Sequence, residues 1–107
     1  MDQPVPVPED LLRSVVAYFN PRQVILFGSR ARGDAGEDSD LDLLVVVDDE
    51  TPPEKLSWRA LWDARRDYHG AVDLMACRAG VLERRARAVG SFAHTVLAEG
   101  RVVYERG

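Results

Sequence analysis

From Leu11 the apolar residues fall at Leu11, Leu12, Val15, Val16 and Phe19, a single stripe on a helix, and Asn20-Pro21 stops that helix. Val24-Ile25-Leu26-Phe27 is a continuous, partly β-branched run that predicts a buried strand, ended by Gly28-Ser29. The stretch on to Ser39 is polar and carries Gly33 and Gly36, and Ser29 is placed to cap a short helix over Arg30 to Gly33. Leu41 to Val47 is a second buried strand, closed by Asp48-Asp49-Glu50. Thr51-Pro52-Pro53-Glu54 has the spacing of a capping box with proline at the first helical position. The helix it opens carries Leu56, Leu61, Trp62 and Ala64, and Gly70 ends it. Ala71 to Ala76 predicts a third strand. Val81 to Leu97 predicts the longest helix, interrupted by Gly90 at a cost of about 1 kcal/mol relative to alanine. Gly100 ends it, and Val102-Val103-Tyr104 predicts a short edge strand. The order α-β-α-β-α-β-α, counting the short helix after Ser29, is that of an α/β domain with helices packed on a small sheet.

Composition narrows the class. A chain of 107 residues makes one domain, 1–107, and an apolar fraction of 46% fills a core. Residues 1–8 alternate proline at Pro4, Pro6 and Pro8, which predicts an extended arm. Apolar runs such as Leu43 to Val47 are far short of the roughly 20 residues of a membrane span. The start, Met1-Asp2-Gln3-Pro4, lacks the charge and apolar stretch of a secretory signal. Cys77 is the single cysteine, so no internal disulfide forms, and a reducing, cytoplasmic setting fits. The net charge of −4 argues against sequence-specific DNA binding.

Three features carry chemistry. Gly28-Ser29 follows a buried strand and precedes a helix start, where a glycine admits close approach and N–H groups suit phosphate oxygens. Asp40 and Asp42 stand two apart at the start of the second strand, so both carboxylates share one face. Asp73 lies inside the apolar third strand, between Val72 and Leu74, where a charge needs a reason. If the second and third strands are neighbours, Asp73 joins the other two. Three carboxylates that close repel unless a cation neutralises them, and an all-oxygen set suits Mg²⁺ or Mn²⁺. Two such ions stabilise both the attacking and the leaving oxygen of a phosphoryl displacement.

The string GSRARGDAGEDSDLDLLV resembles the signature of the DNA polymerase β-like nucleotidyltransferase superfamily, and in particular its minimal nucleotidyltransferase (MNT) branch. The likeness runs from the first helix to the closing AEGRVVYE. It implies a small mixed sheet packed with helices. It also implies that Asp40, Asp42 and Asp73 bind two Mg²⁺ (or Mn²⁺) ions and carry catalysis, and that Gly28 and Ser29 face the nucleotide phosphates. Arg30 and Arg32 flank that loop and are candidate phosphate contacts, with pairing to a neighbour such as Asp38 as the competing reading.

Larger relatives of this superfamily add a second domain that selects the substrate. The 107 residues read as a single domain, so the expectation from the resemblance is an acceptor site completed by another chain. MNT proteins commonly pair with a helical HEPN-domain protein in toxin–antitoxin modules, and some move AMP from ATP onto a tyrosine of that ribonuclease. The leading expectation is therefore an adenylylating antitoxin. Its rivals are an antitoxin that neutralises by contact alone and a homodimeric enzyme acting on a small molecule.

Other features have plainer readings. Arg78, Arg84, Arg85 and Arg87 read as a solvated helix face, with a partner surface as the alternative. Trp58 and Trp62, four apart on one helix, are expected to pack into the core. Cys77 reads as a small buried filler.

Overall fold

The computed structural model describes residues 7–28 and 41–106. Within them the order is α1 (Glu9–Phe19), β1 (Gln23–Phe27), β2 (Leu41–Val47), a 3-10 turn (Pro53–Leu56), α2 (Trp58–Arg65), β3 (Val72–Arg78), α3 (Ala79–Ala86), α4 (Phe92–Glu99) and β4 (Arg101–Glu105). The strands form one mixed sheet in the order β3-β2-β1-β4. β1 runs antiparallel to both β2 and β4, while β2 and β3 are parallel. Val102 to Tyr104 is the edge strand the sequence predicts, joined to β1 through an irregularity between Val24 and Ile25. The helix that Ser29 was expected to cap lies outside the described residues.

Alternation along the strands sorts the core into two layers. Leu41, Leu43, Val45 and Val47 of β2, with Val24 and Leu26 of β1, pack against Leu11, Val15 and Phe19 of α1 and Ala64 of α2. Ile25, Leu44 and Val46 face the other way and meet Ala79, Leu82, Ala93 and Val96 of α3 and α4. The stripe that predicts α1 is the stripe that is buried, and Asn20 ends the helix in the left-handed region at φ 46°. Val7, the last part of the N-terminal arm that is described along with Pro8, is buried in the first layer.

Three expectations are corrected. Thr51 does not cap a helix: the Thr51–Glu54 stretch enters a 3-10 turn, and Ser57 caps α2 instead, its hydroxyl accepting from the Ala60 N–H at 3.2 Å. Two prolines in succession explain the shift, because Pro53 keeps the residue before it out of the helical region and Pro52 accordingly holds an extended conformation. The helix over Val81 to Leu97 is two helices. Gly90 adopts φ +88°, and Ser91 caps α4 by accepting from the His94 N–H at 3.1 Å. Trp58 and Trp62 are exposed, at 75% and 55%, because Ala60 and Ala64 take the buried positions of α2. Arg59 and Arg65 instead lie over the two indole rings.

Candidate active site

The site is built where β1 ends and β2 and β3 begin. Asp42 is the register partner of Phe27 across the antiparallel pair and of Asp73 across the parallel pair. Register partners on neighbouring strands project to the same face, about 4.8 Å apart along the sheet. The two carboxylates therefore share the face that α3 and α4 cover farther along the strands. Asp42 is half-buried and Asp73 is exposed. The sequence places Asp73 within an apolar run; its exposure follows from β3 being the sheet edge, with its acidic end beyond the helices.

Gly28 closes β1 with φ +77°, a conformation that residues with a Cβ adopt at a cost. A Cβ at Gly28 would collide with Oδ2 of Asp42 and stand 3.2 Å from its Cγ. The glycine thus does two things: it turns the chain, and it leaves the space that the Asp42 carboxylate occupies. Ser29, Arg30, Arg32 and Asp40 lie outside the described residues, so of the sequence-derived site the structure brings together Gly28, Asp42 and Asp73.

The β3 end of the site is held from below. The Arg65 guanidinium donates to the carbonyls of Tyr68 at 3.1 Å, Gly70 at 3.2 Å and Val72 at 3.3 Å, tying the turn that leads to Asp73 onto α2. The parallel pairing opens immediately beyond, with the Leu41 N–H donating to the Ala71 carbonyl at 3.3 Å. A single arginine thereby shapes the turn that delivers Asp73, while the β2–β3 ladder holds Asp73 against Asp42.

Sequence reading did not single out the aromatic pair beside the site. Phe27, just before Gly28, meets Phe92 of α4 edge to face, with centroids 5.3 Å apart and planes at 84°. The signal for Phe27 was its place beside Gly28 in the motif; Phe92 carried none, because its approach depends on the break at Gly90. On the same face Cys77 is half-buried, and burial pushes its thiol up to about 11 while the Arg85 charge pulls weakly the other way. Of the arginine cluster, Arg84, Arg85 and Arg87 are exposed, whereas Arg78 is half-buried and donates to the Thr51 carbonyl at 2.8 Å.

The donor chemistry fits a hard divalent cation. Asp42 and Asp73 offer oxygen only, on adjacent strands in register, and Asp40 would add a third carboxylate by its place in the sequence.

Residues 9–107 match the family model described as polymerase beta, nucleotidyltransferase. The chain belongs to this family. A comparison with curated proteins finds no match. Among solved structures, this nucleotidyltransferase domain is similar to a candidate nucleotidyltransferase from Sulfolobus solfataricus, at 24% identity and a TM-score of 0.60, over 91% of this chain and 76% of that one. It is also similar to a toxin–antitoxin structure with AMP-PNP, at 19% identity and a TM-score of 0.59, over 94% and 75% of the two chains. A third similar structure is a toxin–antitoxin MntA-HpeT mutant with two aspartates changed to glutamate, at 17% identity and a TM-score of 0.58, over 94% and 75%. At these identities the likeness is one of fold, and the mixed sheet with its flanking helices is that of the polymerase β-like nucleotidyltransferases. No helix among the described residues is long and apolar enough to cross a membrane.

Proposed function

We propose that this domain is a metal-dependent nucleotidyltransferase that moves a nucleoside monophosphate, AMP from ATP, onto a hydroxyl of a partner protein, and that it serves as the antitoxin of a HEPN ribonuclease toxin. The observation that carries this reading is the register of Asp42 with Asp73 beside Gly28, in a domain of this family. Two fold relatives support it: one toxin–antitoxin structure is described with AMP-PNP, an ATP analogue, and in another the paired substitutions are of aspartates two positions apart, the spacing of Asp40 and Asp42.

Asp40, Asp42 and Asp73 would hold two Mg²⁺ ions, which supply neutralising charge for the triphosphate and for the leaving pyrophosphate. Gly28, whose φ of +77° turns the chain out of β1 beside Asp42, would lead into the phosphate contacts, with Ser29, Arg30 and Arg32 supplying them. The acceptor oxygen attacks the α-phosphorus and its bond to the bridging oxygen breaks, releasing pyrophosphate. Asp73, exposed at the sheet edge, is the acid open to an incoming acceptor and takes the hydroxyl proton.

The test is the intact mass of a HEPN-domain partner protein, after incubation with this protein, Mg²⁺ and each nucleoside triphosphate in turn. A gain of whole nucleotide units, lost with Asp42→Asn, is the expected result. A stable complex without any mass change would make the protein a contact-only antitoxin. Turnover on a small acceptor without a partner would make it a homodimeric enzyme of a different substrate class.

A further inference from the structure

Two residues beyond the paired acids, on the same sheet face, the next register pair is Leu44 and Met75. These two line a groove of about 430 Å³ together with Cys77 of β3, Leu82 and Arg85 of α3, and Phe92 and Ala93 of α4. Its size is within the ~300–1,000 Å³ range of pockets that seat ligand-sized groups. The mouth is unusually apolar for a surface: Phe92 is 52% exposed and Met75 is 38% exposed. Arg85 is the one charged residue among the described residues of the lining.

We infer that this groove seats an apolar side chain of the acceptor protein, from a segment that also carries an acidic residue to meet Arg85. The inference rests on the protein-acceptor reading above and names the surface that presents the acceptor hydroxyl to Asp73. Continuity with the acids supports it, because Leu44 and Met75 follow Asp42 and Asp73 in the same two strands and Phe92 touches Phe27, the third register neighbour. Charge complementarity supports it too. Arg85, exposed on α3, is the charge that the lining presents, so the groove favours an acidic group beside the apolar one.

The competing occupant is the base of the nucleotide. A nucleobase carries several hydrogen-bonding groups on its edge, and these need partners once buried. The Ser91 hydroxyl spends its one donor on the Arg85 carbonyl at 2.8 Å and accepts from the His94 N–H at 3.1 Å, which leaves the Arg85 guanidinium as the strong side-chain donor of the lining. The Cys77 thiol stays protonated and is a weak donor. An apolar side chain makes no such demand, and apolar anchors in grooves are a common mode of protein recognition.

The experiment uses the full chain and a HEPN-domain protein as the partner, with Arg85→Glu and Phe92→Ala as variants. Two affinities are read by calorimetry: partner binding, and AMP-PNP binding with Mg²⁺. Circular dichroism checks that each variant is folded, and Arg85→Glu, on an exposed position, keeps the test decisive if Phe92→Ala is not. The expected result is partner binding weakened roughly 10-fold or more with AMP-PNP affinity within about twofold of wild type. Unchanged partner binding in a folded variant would overturn the inference, and AMP-PNP affinity falling instead would assign the groove to the nucleobase. Dimerisation of the chain alone that Arg85→Glu abolishes would assign it to a second copy. Wild-type protein that neither binds nor modifies the partner would sink the protein-acceptor reading itself, a failure distinct from these.

Discussion

The carboxylate of Asp42 occupies the space that a side chain at Gly28 would fill. A Cβ there would strike Oδ2, and the backbone at φ +77° resists any L side chain independently. The pair links a backbone requirement to a chemical one: the residue that turns the chain out of β1 is also the residue that makes room for the acid opposite its end. A Gly-x₁₃-Asp spacing in the sequence therefore becomes a direct contact in the fold.

Gly28→Ala should accordingly lose function beyond its cost in stability. The left-handed backbone and the collision together should cost about 1–3 kcal/mol, readable in urea unfolding. Nucleotidyl transfer should fall by on the order of 10²-fold under conditions where the variant is still folded, because Asp42 must move. Transfer equal to wild type would show that the Asp42 position beside Gly28 is irrelevant to the reaction.

Ser91→Ala tests the break between α3 and α4. The hydroxyl satisfies the His94 N–H and reaches back to the Arg85 carbonyl, so its loss should cost about 1 kcal/mol. Gly90, at φ +88° with open space around it, should tolerate alanine sterically but pay a similar amount in backbone strain. If α3 and α4 were one continuous helix, both substitutions to alanine would stabilise the protein, the opposite sign.

Burial raises the Cys77 thiol from an ordinary value near 9.0 to about 11. At pH 8 the native protein should react with iodoacetamide on the order of 100-fold more slowly than a free thiol, and urea should abolish the difference. The linkage follows the same direction. The folded state holds its proton more tightly, so this contribution is complete below about pH 9 and is lost as pH rises toward 11. Cys77→Ser should flatten that alkaline limb in pH-dependent unfolding.

At the opposite end of the sheet, Asp48 is held below the usual carboxylate range, first by hydrogen bonds from the Arg106 guanidinium at 2.8 and 3.0 Å and then by Arg22. Its folded pKa is depressed, so the stabilisation it gives is present above about pH 4 and is lost as pH falls below that. Asp48→Asn should remove part of the acid limb of the stability profile while leaving it unchanged above neutrality in slope. Both arginines are partly exposed, so 0.5 M salt should reduce the effect.

Much of the fold was legible because local pattern and burial agree. The apolar stripe of α1, the two apolar runs of β1 and β2 and the edge strand at Val102–Tyr104 appear where the residues predict them. The misreadings arise where a local signal competes with its neighbours. The capping spacing at Thr51–Glu54 is overridden by its own prolines, and the Trp58–Trp62 stripe is overridden by Ala60 and Ala64, which take the buried face of α2. Gly90 was visible as a weak point, but whether it kinks or ends a helix depends on what caps the following turn, and Ser91 does.

For the site, the sequence by itself determined which groups are available: a glycine at a strand end, two carboxylates sharing a face, and a third on a later strand. It could do so because strand alternation is a local property of the backbone. Only the tertiary structure decided that β2 and β3 are parallel neighbours in the register that sets Asp42 against Asp73, and that Asp73 stands exposed at the sheet edge. That choice is made by contacts far apart in sequence, in particular the packing of Leu43 and Leu74 in one layer, while the Arg65 clamp shapes only the local turn before β3. Register is a non-local quantity, fixed by which buried faces meet.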